Sequence, residues 1–309
     1  MRMSKITLGY LLIITFVVLS CRRSGDDNQS QDDSTNIYVR DSLVLQSEHP
    51  MLIDFRMFVH DLDSTDMNSA PLAVEHFHKF FEGQRPGLCD SAFVVLQQLL
   101  DTIETNLNEK LYEDTTDYSP LMNDENVSPK LSRYRNNLLK SGFKMSFTEG
   151  MPYIEQDREF VLLQLSDMFT EPMKAYLAQI ELENREGFAQ DAFITIEPEK
   201  YIERLVWYEK FMAANKTFVF LDNCKNYRKA YLTYLLSGMD NSPLYDDVDH
   251  LQLAEYYTKA YTYLLKKYPD SETAGLVRPY YDAIRKKQKS EVNALYKKYV
   301  VAGHVYNFQ

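Results

Sequence analysis

Apolar residues recur three and four positions apart along most of this chain. That spacing lines one face of an α-helix. The first such stretch is 50–62 (PMLIDFRMFVHDL), where Pro50 suits a first helical turn. In SAPLAVEHFHKFFEG, Pro71 starts the pattern, Val74, Phe77, Phe80 and Phe81 form its stripe, and Gly83 ends it. A long helix follows, with Val95, Leu96, Leu99, Leu100, Ile103, Leu107 and Leu111 in register and Asp90 or Ser91 expected at its N-cap. Residues 113–127 are acidic and aperiodic, the mark of a loop. Ser128-Pro129 opens another helix through Leu131, Tyr134, Leu138 and Leu139, which Gly142 closes. Further helices are predicted over 157–169, 171–184, 198–214, 218–237, 246–268 and 271–300, with a break allowed in the last. Within 218–237, Phe218, Leu221, Cys224, Tyr227, Tyr231 and Tyr234 share one stripe.

The period changes in only a few places. Phe143, Met145 and Phe147 alternate, Glu149-Gly150 can turn, and Tyr153 follows, which predicts a small β-hairpin. DAFITI (191–196) reads as a short strand. The expected fold class is mainly α: a multi-helix bundle or irregular helical array with one small β-hairpin.

The N-terminus has a different pattern. Met1 to Lys5 is positively charged, and Ile6 to Leu19 is mostly apolar. That run is shorter than the ~18–20 residues that span a bilayer and reads as a secretory signal. The exit, Val18-Leu19-Ser20-Cys21, resembles the lipobox of bacterial lipoproteins, with Leu19 in place of the smaller residue common there. The resemblance implies cleavage before Cys21 and acylation of both its thiol and its new amino group. Two or more acyl chains anchor stably where one does not. The competing reading is an uncleaved signal anchor with an incidental cysteine. Arg22 to Asn36 is nearly free of apolar residues and reads as a flexible tether. Its acidic, polar character is similar to the export tag of surface lipoproteins in the Bacteroidota. Arg22 stands where some enterobacterial lipoproteins carry the Asp that retains them at the inner membrane, so the expected address is the outer membrane, on its periplasmic or its surface face. The chain thus divides into a signal peptide (1–20), a lipidated tether (21–45), an N-terminal helical region with the acidic loop (46–127) and a Tyr-rich helical domain (128–309).

Charge narrows the partners. The net charge of −11 becomes −13 once residues 1–20 leave with Arg2 and Lys5, which argues against nucleic acid. Residues 259–309 run against this trend with ten Lys or Arg and four Asp or Glu. A solvated helix face is the preferred account of that tail over a docking surface. Export permits a disulfide between Cys89 and Cys224, but the stripe position of Cys224 favours buried free thiols. YRKAYLTYLL at Tyr227 and YTKAYTYLLK at Tyr257 share Tyr, Lys, Ala and Tyr. AEYYTKAYTYLLKKYPDSETA (254–274) resembles the second helix of a tetratricopeptide-type repeat with its closing Pro-Asp-Ser.

Signatures of catalysis are missing: the sequence holds no G-x-S-x-G, H-E-x-x-H, G-x-x-x-x-G-K or C-x-x-C. No cofactor and no metal site is expected. His76 and His78 are two apart and so point to different helix faces. DLDSTD (Asp61, Asp63, Asp66) begins like a calcium loop but has Asp66 where Gly belongs and Leu72 where Glu belongs. DDVDH (246–250) reads as a helix-starting acidic turn. The single Trp207, in ERLVWYEKF, reads as packing in preference to a sugar-stacking platform. Six Asp-Ser/Thr triplets between residues 33 and 116 resemble the O-glycosylation sites of exported Bacteroidota proteins. Ser91 suits a cap and Thr102 lies within a predicted helix, which leaves Ser34, Ser42, Ser64 and Thr115 as candidate acceptors.

Together these features predict a lipid-anchored envelope protein that acts without catalysis, as an interaction or scaffold lipoprotein with an envelope protein partner. A ligand- or glycan-binding lipoprotein with an aromatic groove is the alternative. An envelope hydrolase using acidic residues is a lesser one, since no carboxylate pair stands out from the rest.

Overall fold

The structure, a computed structural model, describes residues 49–307. Cys21, Ser34 and Ser42 lie outside the described residues. Helix α1 (Pro50–His60), α2 (Ser69–Phe81) and the long α3 (Pro86–Glu113) come first, then short α4 (Ser119–Asn123) and α5 (Pro129–Lys140). Strands β1 (Phe143–Thr148) and β2 (Met151–Gln156) form the predicted hairpin, turning on Glu149 and Gly150 at positive φ. Next come α6 (Arg158–Leu165), a 3-10 turn (Ser166–Met168) and α7 (Glu171–Glu186). Beyond β3 (Ala189–Gln190) and β4 (Phe193–Ile194) lie α8 (Pro198–Ala214) and α9 (Leu221–Ser237). Two more strand pairs, β5 (Gly238–Met239) with β6 (Ser242–Pro243) and β7 (Tyr245–Asp247) with β8 (Gln252–Leu253), precede α10 (Glu255–Lys267), α11 (Glu272–Arg285) and α12 (Lys289–Val301). The fold is therefore mainly α with small antiparallel pairs. Three of those pairs have strands of two or three residues, too short to show a period of two.

Two caps stand elsewhere than expected. The long helix starts at Pro86 behind Arg85, not at Asp90 or Ser91. Proline at the first position presets the helical φ, and Asp90 is left buried inside the helix. Its carboxylate instead accepts from the backbone N (3.1 Å) and the hydroxyl (2.5 Å) of Thr170, the N-cap of α7. Residues 246–250 do not start a helix either. Asp247 closes β7, and its carboxylate accepts from Asp249 N and His250 N. Leu251 then reverses the chain at φ 48 and α10 begins only at Glu255. The break allowed in 271–300 falls at Lys287, φ 59.

Apolar stripes from all these helices meet in one core running from Leu52 to Val305. Phe55 packs edge-on against Phe77 and Phe81. Phe77 and Phe93 both meet Phe169, and Phe93 meets Phe220, so the rings of α2 and α3 join those ahead of α7 and α9. Helix α8 packs against α9, α10 and α11. Its Tyr201 and Tyr208 are fully buried, as are Tyr257 and Tyr261 on α10.

Buried tyrosines need an acceptor for their hydroxyls. Tyr201 donates to the carbonyl of Tyr231 (2.6 Å), Tyr261 to that of Leu235 (2.8 Å) and Tyr280 to that of Leu236 (2.9 Å). Leu235 and Leu236 lie in the last turn of α9, where carbonyls have no partner within the helix. The tyrosine-rich sequence thus finishes helix ends from neighbouring helices. Gly238 ends α9 at φ +76, with Leu244 N only 2.4 Å from where a Cβ would stand.

Candidate functional site

Helix α8 turns one stripe outward. Lys200, Glu203, Arg204, Trp207 and Lys210 stand at i, i+3, i+4, i+7 and i+10, so they share a face. Opposite them stand Gln179, Leu182 and Glu186 of α7, with Tyr268 just beyond α10. Together they line an open groove of about 320 Å³. Trp207 is half-buried in its wall. It stacks on Phe211 at 4.7 Å and 13° and meets Tyr208 edge-on. The packing expected of Trp207 is real, and the indole lines a groove as well.

The groove's charges are fixed by contacts. Glu186 binds Lys200 Nζ (2.6 Å) with one oxygen and Arg204 (2.9 Å) with the other. Those two cations hold its carboxyl below the ordinary glutamate range. Arg204 also donates to the carbonyl of Gly187 (2.7 Å), just past the end of α7, and its side chain is only 4% exposed. Its Nε is buried without a hydrogen-bond partner. Burial opposes ionisation of Glu203, but hydrogen bonds from Lys267, Tyr263 and Tyr268 outweigh it and hold that carboxyl low too. Lys210 is exposed and lies 4.6 Å above the ring of Tyr268.

A third glutamate sits behind the groove. Glu183 accepts from Tyr231 (2.6 Å), Gln179 (2.6 Å) and Tyr208 (3.2 Å). Burial pushes its carboxyl up against the pull of those bonds and of Arg204.

Other polar clusters have structural work. Gln156 Nε2 donates to Asp101 and Glu104, each at 2.8 Å, and Asn108 bonds both the N and the O of Ile154. These contacts fasten the hairpin to α3. A smaller hollow of about 220 Å³ lies where α3, the acidic loop and α5 meet, with Tyr118 and Tyr134 in its wall. There Tyr118 donates to Asp114 (2.7 Å).

The remaining predicted positions fall as follows. Thr115 is exposed beside that smaller hollow, between Asp114 and Thr116, which line it. Ser64 is half-buried, and its hydroxyl accepts from Asn106 Nδ2 at 3.1 Å. Ser91 and Thr102 donate back to the carbonyls of Gly87 and Gln98 within their helix. Asp63 and Asp66 close local turns through Thr65 N and Asn68 N. His76 stacks on Phe58 at 3.7 Å and 12°. Among the described residues no cluster of three metal-ligating side chains occurs, and no helix is long and apolar enough to cross a membrane. Cys89 and Cys224 are both free and buried, and burial pushes the Cys224 thiol up to about 12. Such thiols are inert.

No family model matches this chain, no curated protein matches it, and no solved structure matches it.

Proposed function

We propose that this is a lipid-anchored binding protein of the cell envelope, which captures its ligand in the Trp207 groove and performs no chemistry on it. One observation carries the reading: an indole, a phenol ring and three cations line one open groove. Its volume of about 320 Å³ lies at the lower end of the ~300–1,000 Å³ typical of small-molecule sites. The two carboxylates in its wall favour binding over hydrolysis. A general acid needs a raised pKa, and Glu186 and Glu203 are both held low.

The address rests on the sequence. Cys21 at the border of the apolar run supports acylation and an outer-membrane anchor of the kind found in Bacteroidota-like bacteria. Of the proposed O-glycosylation acceptors Ser34, Ser42, Ser64 and Thr115, Thr115 is the more openly presented of the two described. The envelope partner belongs to the same proposal, met through the groove or through what it binds.

Capture from solubilised native envelope tests the groove. The full-length, lipidated protein and its Trp207→Ala variant are compared, with masses read for proteins, glycans and small molecules. The expected result is a glycan or metabolite retained by the wild type and lost by the variant. An identical retained set in both overturns the groove reading. Cys21→Ser tests the anchor: the variant should lose its acyl mass and leave the membrane fraction.

A further inference from the structure

The groove is electropositive on an acidic protein, and this points to the class of ligand. Lys200, Arg204 and Lys210 line it, with Lys267 beside Tyr268, against Glu186 and Glu203. Glu186 is shared between Lys200 and Arg204, and Glu203 is taken by Lys267. Lys210 has the ring of Tyr268 beneath it and no carboxylate in ion-pair reach among the described residues. Arg204 is a buried guanidinium in the wall, held through its two terminal nitrogens by Gly187 O and Glu186.

We infer that the groove binds an acidic saccharide, with the sugar ring against Trp207 and its carboxylate held by Lys210. The inference rests on the groove being the binding site. Each part of the wall meets a different part of such a ligand. The indole of Trp207 covers the apolar C–H face of a pyranose. Lys210 binds the carboxylate by a charge-assisted hydrogen bond. Gln179, Glu186 and Glu203 offer acceptors to hydroxyl groups, which a simple fatty or aromatic acid lacks. A phosphate ester fits less well. Glu186, Glu203 and the last-turn carbonyls of α7 already place negative charge in the wall. A single carboxylate tolerates that setting better than a dianion.

The experiment uses the emission of Trp207, the only tryptophan in the chain, so the signal comes from the groove itself. Full-length protein is titrated with short oligomers of galacturonate, glucuronate and N-acetylneuraminate, with their neutral methyl esters, with inorganic phosphate and with a tetraglutamate peptide. The inference expects saturable change with at least one acidic sugar and binding about tenfold weaker for its methyl ester. Lys210→Gln, at an exposed position, should weaken the acidic sugar about tenfold and leave the ester unaffected. Equal binding of ester and acid, or response to phosphate or tetraglutamate alone, overturns the acidic-sugar class while the groove stands. If no probe responds and Trp207→Ala retains the same envelope molecules as the wild type, the groove reading falls and this inference falls with it. If no probe responds but Trp207→Ala does lose a retained molecule, the mass of that molecule decides: a neutral compound overturns the class, and a carboxylated sugar upholds it.

Discussion

Glu183 shows how one buried carboxyl ties pH to stability. Burial raises its folded pKa above the unfolded value. A group of this kind binds its proton more tightly in the folded chain. Its contribution is complete below the unfolded value of ~4.3 and is lost as pH rises through the folded one. Glu104, also raised by burial, has the same sign. Glu186 and Glu203 have the opposite sign, since their stabilisation is present at neutral pH and lost as pH falls. Glu183→Gln should therefore narrow or reverse any deficit against the wild type as pH rises. Melting curves at pH 4 and pH 7 check this, and the wild type's advantage in Tm over the variant should be larger at pH 4 than at pH 7. Tyr261 offers a second test at this scale. Tyr261→Phe leaves the Leu235 carbonyl without its donor and should cost about 1–3 kcal/mol in urea denaturation. The stripe of Tyr227, Tyr231 and Tyr234 could be read from spacing alone. Which hydroxyl meets which carbonyl could not, because those bonds join helices 26 to 44 residues apart.

Two helix starts in this protein are held by carboxylates of other helices. Asp90 of α3 caps α7 through Thr170, and Glu209 of α8 caps α11 by accepting from Glu272 N (2.7 Å) and Thr273 N (2.9 Å). Removing such a cap costs roughly 0.5–2 kcal/mol. Asp90→Ala should fall in that range by chemical denaturation, with loss of helicity centred on α7 in hydrogen exchange. Gly238→Ala should be worse. Its φ of +76 and the nearby Leu244 N combine left-handed strain with a backbone clash, so soluble yield and Tm should both drop. The elements themselves were well marked in the sequence: 198–214 was bounded correctly by Pro198 and its stripe. The misplaced starts at 90–91 and 246–250 share one cause. An Asp beside a helical stripe looks like its N-cap, yet the carboxylate of Asp90 serves a helix eighty residues on, and that of Asp247 closes its own tight turn.

At the scale of the molecule, periodicity shows which face of each helix is apolar but not which faces meet. The groove gathers Gln179, Trp207 and Tyr268 from three separate elements, so no local window contains it. Its one sequence signal was the polar and aromatic stripe on α8, which resembles an ordinary solvated face. The shared core has a measurable consequence. Phe77, Phe93 and Asp90 reach Phe169 and Thr170, so residues before and after the acidic loop should unfold together. Urea curves by Trp207 emission and by far-ultraviolet circular dichroism should coincide. An earlier dichroism transition would show that the first three helices melt apart.

The buried tyrosines also determine how the protein meets alkali. Burial holds the hydroxyls of Tyr201, Tyr208, Tyr231 and Tyr261 well above the usual phenol value. Their protonated forms stabilise the fold fully below pH ~10, and that support drains away as the solution becomes more basic. Each of these phenols gives up its proton more readily once its helix undocks. Tyrosinate absorbance from this interior should therefore climb as a single step that coincides with collapse of the fold, in place of a smooth titration. The residues that tie the helices together would thus also act as a fuse against strong base.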